Sequence, residues 1–283
     1  MDHVLPGELQ KSYHILKSAL KEDIGSGDIT TGSTVFQRQQ LHAVIISKSA
    51  GILAGLPFFS QTFSILSRTI SIFLPVEEGS TTKKGNTIME IQGRAGAILK
   101  AERTALNLLG RMSGIATKTA QFVEKVTGTD VKILDTRKTV PGLRLFDKYA
   151  VRVGGGHNHR FGLYDMYLIK ENHIAAAGGI KEAVGKCASA RGAGKTLITV
   201  EVSSLSSAEL AAVSGADRIL LDNMVPDEAE TIVKKLKGKI ELEVSGGITL
   251  DNVRSYADTG VECISVGMLT HSVTAVDFSL LVQ

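Results

Sequence analysis

Through the second half of the chain, short apolar runs alternate with helix-length segments whose apolar positions recur every three to four residues. The runs are VKILDTRK (131–138), DMYLIKENH (165–173), TLITVEVSS (196–204), RILLDN (218–223), IELEVSGG (240–247) and CISVGM (263–268). Their length and β-branched content predict strands. Between them, AAAGGIKEAVGKCASARG, SSAELAAVSGA, PDEAETIVKKLKG and TLDNVRSYADTG carry the periodicity and end signals of crossover helices. Strand and helix in strict alternation predict a parallel sheet that closes into a barrel or winds doubly.

The first hundred residues follow a different pattern. LHAVIISKSAG (41–51), RTISIFLPV (68–76) and NTIMEIQG (86–93) are β-rich and separated by glycine and charged turns, which predicts a small, mostly antiparallel sheet with helices. A helix is expected to begin near Ala97, with Leu99, Leu106, Leu109, Met112 and Ile115 at near-helical spacing.

Composition narrows the class without identifying a reaction. A chain of 283 residues with 43% hydrophobic content can bury a sizeable core. The net charge of +3 is mild and no Lys/Arg block stands out, so neither a nucleic-acid partner nor a membrane surface is expected, and basic chemistry must be local. Cys187 and Cys263 lie far apart with no CxxC, which suggests neither a disulfide framework nor a structural zinc site and makes a reducing cytoplasm the expected compartment. At the N-terminus, Pro6, Glu8 and Lys11 interrupt any apolar run, so neither a signal peptide nor a spanning segment is expected.

Polar residues collect toward the C-terminal ends of the predicted strands: Asp135, Thr136, Arg137 and Lys138, then Lys170, Glu201, Asp222, Ser245 with Gly246 and Gly247, and Gly267. That end of a β/α barrel carries the active site. Burying an unpaired charge within runs such as LIK, TVEV or LLDN costs roughly several kcal/mol, so these groups either pair inside the barrel or line its mouth.

RVGGGHNHR (152–160) fits neither GxGxxG nor a Walker loop, and no GK[ST] follows it. The glycines suit a tight backbone turn. His157 and His159 alternate along an extended segment and have the spacing to share a metal, although the neighbouring arginines repel a cation and no third ligand stands close in sequence. An anion site suits the neighbours better. Arg137, Arg160 and Arg103 are fork donors for carboxylates, and Lys138 and Lys170 are point charges suited to phosphate; an ordinary surface role competes most strongly at Arg103, on its helix. Glu201 and Asp222 then suit Mg²⁺ or ribose hydroxyls. Glycine-rich SGG (245–247) and VGM (266–268) suit a phosphate held on backbone N–H groups, though glycines there also serve plain turns. The set as a whole fits a phosphorylated sugar beside a polycarboxylate. Two other readings stay open: Lys170 as the Schiff-base lysine of an aldolase, and EEGSTTKKGNTIMEIQG (77–93) as a carrier-domain hairpin, in which Glu90 rather than a modifiable lysine follows Met89.

The stretch ILDTRKTVPGLRLFDKYAVRVGGGHNHRFGLYDMYLIKENHI (133–174) closely resembles the central segment of quinolinate phosphoribosyltransferases. GDITT, AERTALNLLGRMSGIAT, TVEVSSL, LLDNM, EVSGGI and ISVGMLTHSV resemble further signatures of that family, in order and over most of the chain. The resemblance implies an α/β protein in which an N-terminal α/β sandwich domain (1–113), rejoined by a return segment (272–283), accompanies an open, incomplete β/α barrel (114–271). It implies phosphoribosyl transfer from phosphoribosyl pyrophosphate to quinolinate with decarboxylation and Mg²⁺, in NAD biosynthesis. A related barrel pyrophosphorylase acting on another pyridine carboxylate is the alternative within the same fold. Carried over by position, Arg103, Arg137, His159, Arg160 and Lys170 would line the quinolinate pocket, with Thr136 beside them. Lys138, Lys170, Glu201 and Asp222 would form the catalytic set around ribose, pyrophosphate and Mg²⁺. Ser245, Gly246, Gly247, Val266, Gly267 and Met268 would hold the 5′-phosphate. Arg103 would arrive from a neighbouring subunit of a homodimer, and His157 receives no role.

Overall fold

The computed structural model describes residues 4–5 and 7–283; part of the N-terminal stretch read above, Pro6 included, lies outside the described residues. In chain order the elements are α1 (Glu8–Ile24), α2 (Ile29–Thr34), β1 (Gln40–Ser47), β2 (Gly51–Ile52), α3 (Leu56–Leu66), β3 (Ser71–Phe73), β4 (Thr81–Thr82), β5 (Thr87–Arg94) and α4 (Ala95–Lys125). They continue as β6 (Lys132–Leu134), α5 (Arg144–Val153), β7 (Tyr167–Ile169), α6 (Glu171–Ala177), α7 (Ile180–Arg191), β8 (Ile198–Val202), α8 (Leu205–Val213), β9 (Arg218–Asp222) and α9 (Pro226–Leu236). The last are β10 (Glu241–Ser245), α10 (Val253–Asp258), β11 (Cys263–Ser265), α11 (Met268–His271) and β12 (Phe278–Val282). No helix among the described residues is long and apolar enough to cross a membrane. Two compact units result: residues 1–119 with 139–155 and 272–283, and residues 120–138 with 156–271.

The first unit is built on an antiparallel sheet of order β12-β1-β5-β3. Along β5 Met89 and Ile91 are buried while Glu90, Gln92 and Arg94 face solvent, the alternation a one-sided sheet requires; Ile88 breaks it, buried at the register shift opposite Ile45 and Ile46. Its core joins these residues to Ile45, Leu53, Phe59, Phe63, Ile98 and Leu109. Each such buried side chain contributes roughly 1.5–3 kcal/mol by leaving water. Glu78 closes the start of α3, accepting the backbone N–H groups of Gly55 at 2.5 Å and Leu56 at 2.9 Å. Gly55 itself has φ +105°, and a Cβ there would meet Met112 Sδ at 2.7 Å. β4 pairs with β2, not with β5, so the segment 77–93 does not form the hairpin of a carrier domain.

The sequence reading kept 114–271 together as one barrel segment, whereas residues 139–155 cluster with the first unit. The reason is the apolar face of α5. Phe146 and Tyr149 are fully buried and stack edge-on against Phe58 of α3, with ring centroids 5.1 and 4.9 Å away. Arg111 of α4 holds the same helix through paired hydrogen bonds to Asp147, at 2.8 and 2.7 Å.

The second unit is a parallel sheet of order β6-β11-β10-β9-β8-β7, with all six predicted strands in place. β6 and β7 form its two edges, so the barrel is open between them. Along β8, β9, β10 and β11 the side chains of Ile198, Val200, Val202, Ile219, Leu221, Leu242, Val244 and Ile264 are at most 4% exposed. The intervening residues share the opposite face: the register sets Glu201 beside Leu220, Leu220 beside Glu243, Asp222 beside Ser245, and Ser245 beside Ser265.

Candidate active site

That inner face opens into a cavity of about 450 Å³ within the second unit, at the C-terminal ends of the strands. Thr136, Arg137 and Lys138 enter it from the loop after β6, His159 and Arg160 from the segment before β7, and Lys170 from the end of β7. Glu201, Asp222 and Ser245 come from β8, β9 and β10, with Gly246 and Gly247 just beyond. Every strand end marked in the sequence except that of β11 contributes a predicted residue. The exception places Ser265 there instead, while Val266, Gly267 and Met268 do not line this cavity.

The GGGHNHR stretch works through its backbone. His157 donates its N–H to Ile133 O at 2.8 Å and accepts that of Asp135 at 3.1 Å, adding a parallel bridge beside β6. Asp135, fully buried, then accepts the Asn158 amide at 2.6 Å and the His159 N–H at 2.9 Å. The His157 side chain is exposed while that of His159 is 7% exposed, and no group of three or more His, Cys, Asp or Glu side chains among the described residues is placed to hold a metal. The shared-metal reading of the two histidines therefore has no support.

His159 leads to Glu243, which the sequence reading overlooked. Glu243 has no solvent exposure; it faces His159 Nε2 at 3.4 Å and Arg218 Nη1 at 3.1 Å, and accepts a short hydrogen bond from Ser265 Oγ. Burial pushes its carboxyl up, but the His159 and Ser265 hydrogen bonds and the Arg218 charge outweigh this and hold it below the ordinary carboxylate range. Arg218 also bonds Glu241 at 2.8 Å, so one guanidinium pairs with both carboxylates beneath the cavity.

The cations above them are not all compensated in this way. Burial, then the nearby Arg137 guanidinium, lowers the Arg160 pKa; two guanidiniums repelling across one cavity favour an anionic guest. Lys170 Nζ lies 2.6 Å from Glu201 Oε2 at the cavity mouth, not in the apolar surroundings that activate a Schiff-base lysine. Glu201 and Asp222 supply two carboxylates to the same cavity. Mg²⁺ commonly takes one or two carboxylates and completes its shell with water and substrate phosphate, so this pair fits such an ion when phosphate is present.

At the β9 and β10 ends the backbone is specialised. Asn223 has φ +54°, the left-handed region that non-glycine residues seldom occupy, and its amide bonds Asp222 at 2.8 Å. Gly246 has φ +101°, and a Cβ there would lie 2.1 Å from Asn223 Oδ1; no other residue fits. Neither the left-handed backbone of Asn223 nor this approach was legible in LLDN. Gly267 lies against Lys138, where a Cβ would sit 3.0 Å from Cδ. Thr270 Oγ1 donates to Lys138 O at 2.9 Å, and the Lys138 N–H donates to Thr136 Oγ1 at 3.0 Å, so the RK pair is tied down on both sides. Val266 is buried and its N–H is committed to Leu134 O at 2.9 Å. Arg103 belongs to the first unit, where its side chain is 64% exposed beside a cavity of about 610 Å³ that Asn107 and Arg111 also line.

An open β/α barrel with cations, two carboxylates and glycine turns gathered at its strand ends defines a barrel enzyme for anionic, phosphorylated substrates. Residues 28–113 match the N-terminal domain of quinolinate phosphoribosyl transferase, and residues 115–281 match its C-terminal domain. The chain is 45% identical over 268 residues to the probable nicotinate-nucleotide pyrophosphorylase (carboxylating) of Bacillus subtilis, covering 94% of this chain and 91% of that protein. It is 41% identical over 274 residues to the nicotinate-nucleotide pyrophosphorylase (carboxylating) of Rattus norvegicus, covering 94% and 89%. The solved structure of the nicotinate-nucleotide pyrophosphorylase from Francisella tularensis superposes with a TM-score of 0.92 at 39% identity, covering 99% and 98% of the two chains. The chain belongs to the quinolinate phosphoribosyl transferase family.

Proposed function

We propose that the protein transfers the phosphoribosyl group of phosphoribosyl pyrophosphate to the ring nitrogen of quinolinate and releases pyrophosphate and CO₂, giving nicotinate mononucleotide for NAD biosynthesis. The observation that carries this reading is the confrontation of Arg137 and Arg160 in one cavity with the Glu201 and Asp222 carboxylates.

The guanidiniums suit the two carboxylates of quinolinate, each able to accept a forked pair of N–H groups. Lys138 and the glycine turn at 246–247 suit the phosphates. Breaking the bond between ribose C1 and the pyrophosphate oxygen leaves positive charge on the sugar, and the electron pair departs with pyrophosphate. Glu201 and Asp222 stabilise that charge, and Lys138 stabilises the leaving anion. Glu201 and Asp222, together with substrate phosphate, would hold Mg²⁺, which when bound would supply further neutralisation of the departing pyrophosphate. The ring nitrogen forms the new bond to C1. The carboxylate beside the now cationic nitrogen leaves as CO₂, its bonding pair remaining on the ring carbon until a proton arrives. Contacts that favour this zwitterionic state over the bound carboxylate accelerate the step. Lys170, poised against Glu201, exchanges that partner for a substrate carboxylate.

The reading extends to a cytoplasmic homodimer in which Arg103 of the partner subunit completes the carboxylate cage, a role its exposed guanidinium would suit. The test is turnover of purified protein with quinolinate, phosphoribosyl pyrophosphate and Mg²⁺. CO₂, pyrophosphate and mononucleotide are expected in equal amounts, and their absence with folded protein would overturn the reading.

A further inference from the structure

Both oxygens of Glu243 are engaged within the protein, Oε1 by His159 and Ser265 and Oε2 by Arg218. It borders the cavity but has no solvent exposure, and with both oxygens taken by protein partners it has no free acceptor to offer a substrate. What it touches nevertheless leads into the cavity. The Arg160 backbone N–H lies 2.8 Å from His159 Nδ1, and a backbone N–H can only donate. Nδ1 therefore carries a lone pair, and the proton of the neutral ring sits on Nε2, facing Glu243. The imidazole is thus a fixed spacer between a buried carboxylate and the main chain of Arg160. Asp135 fixes the same segment from the other side through Asn158 and the His159 N–H.

We infer that Glu243 is a positioning residue for the carboxylate cage: by holding His159 as the Nε2–H tautomer, it fixes the Arg160 main chain and so the aim of the Arg160 guanidinium. The assignment rests on the quinolinate reading of the cavity. At 3.4 Å the His159 to Glu243 contact is long for a hydrogen bond, and it tightens when an anion draws Arg160 inward. Arg218 keeps Glu243 charged and Ser265 keeps it oriented, so a residue deep in the barrel governs the geometry of one at its mouth.

Two measurements on the full chain test this. A long-range proton–nitrogen correlation spectrum of histidine-labelled wild-type protein, assigned with a His159→Asn variant, is expected to show His159 protonated on Nε2 and bare on Nδ1. Steady-state kinetics of Glu243→Gln are then expected to show the KM for quinolinate raised about tenfold, with the KM for phosphoribosyl pyrophosphate unchanged within about twofold. Glu243→Asp, which keeps the charge that faces Arg218 but withdraws it from His159, is expected to give the same split and serves if Glu243→Gln does not fold. A proton on Nδ1 in the wild type, or an unchanged quinolinate KM in either folded variant, would overturn the inference. So would an equal rise in both KM values, the mark of a merely structural role. If wild-type protein turns over no quinolinate, the functional reading falls and takes this inference with it; a failure confined to the variants removes the inference alone.

Discussion

Strands in both units alternate apolar and polar positions, and the two units send the polar set to opposite places. In the antiparallel sheet of the first unit, Glu90, Gln92 and Arg94 of β5 point to solvent while Met89 and Ile91 join Ile98 and Leu109 of α4 in an apolar core. In the parallel sheet of the second unit the apolar set points outward, and Glu201, Asp222, Glu243, Ser245 and Ser265 point inward. Burying charge has a cost, and the second unit meets it by pairing Glu243 with Arg218, His159 and Ser265 at depth. Above it, Arg137 and Arg160 are left facing one another across the cavity. The same period-2 pattern thus serves stability in one unit and chemistry in the other.

This contrast can be broken from either side. Arg137→Ala removes one of the two opposed guanidiniums and is expected to lower kcat/KM by about a thousandfold, as loss of a preorganised charged donor does, with little change in thermal stability. Phe59→Ala, in the apolar core of the first unit, is expected to do the reverse: a stability loss of about 3–5 kcal/mol by denaturant titration, with kcat/KM of the folded fraction near that of the wild type. Gly246→Ala forces a Cβ onto Asn223 at a positive φ; a stability loss of about 1–3 kcal/mol is expected, with a rise in the KM for phosphoribosyl pyrophosphate. The smallest effect concerns acid. The Glu243 carboxyl is held below its ordinary range, so its folded pKa lies below the unfolded value of about 4.3. Its contribution is present above that unfolded value and is lost as pH falls through the folded one. The stability gap between wild type and Glu243→Gln, followed by circular dichroism in denaturant, is therefore expected to narrow as the pH is lowered below about 4.

The inner face was legible at its rim and hidden at its floor. Lys170 and Asp222 close apolar runs, Arg137 follows one, and Glu201, although inside TVEV, is the single charge of its run, so each stands out against its neighbours. Glu243 lies inside IELEVSGG with Glu241 two residues before it, which reads as the solvent side of a half-exposed strand. Only the register with β9 and β11 turns it inward, and register depends on pairing partners rather than on the strand's own sequence. Asn223 was hidden for a related reason, since its left-handed conformation follows from the approach of Gly246 on the next strand. In the first unit the strands around Ile45 and Ile91 were visible from their β-branched runs. α5 was not assigned to that unit, because its apolar face declares a burial without declaring the Phe58 ring that receives it.

The most direct test of the central claim compares the calorimetric titration of wild-type protein with quinolinate and with nicotinate, which lacks one carboxylate. If opposed guanidiniums at the strand ends form a cage for two carboxylates, quinolinate binds at least about tenfold more tightly, the worth of one charge-assisted pair. Equal affinity, or tighter binding of nicotinate, would contradict the cage and the account of the inner face built on it.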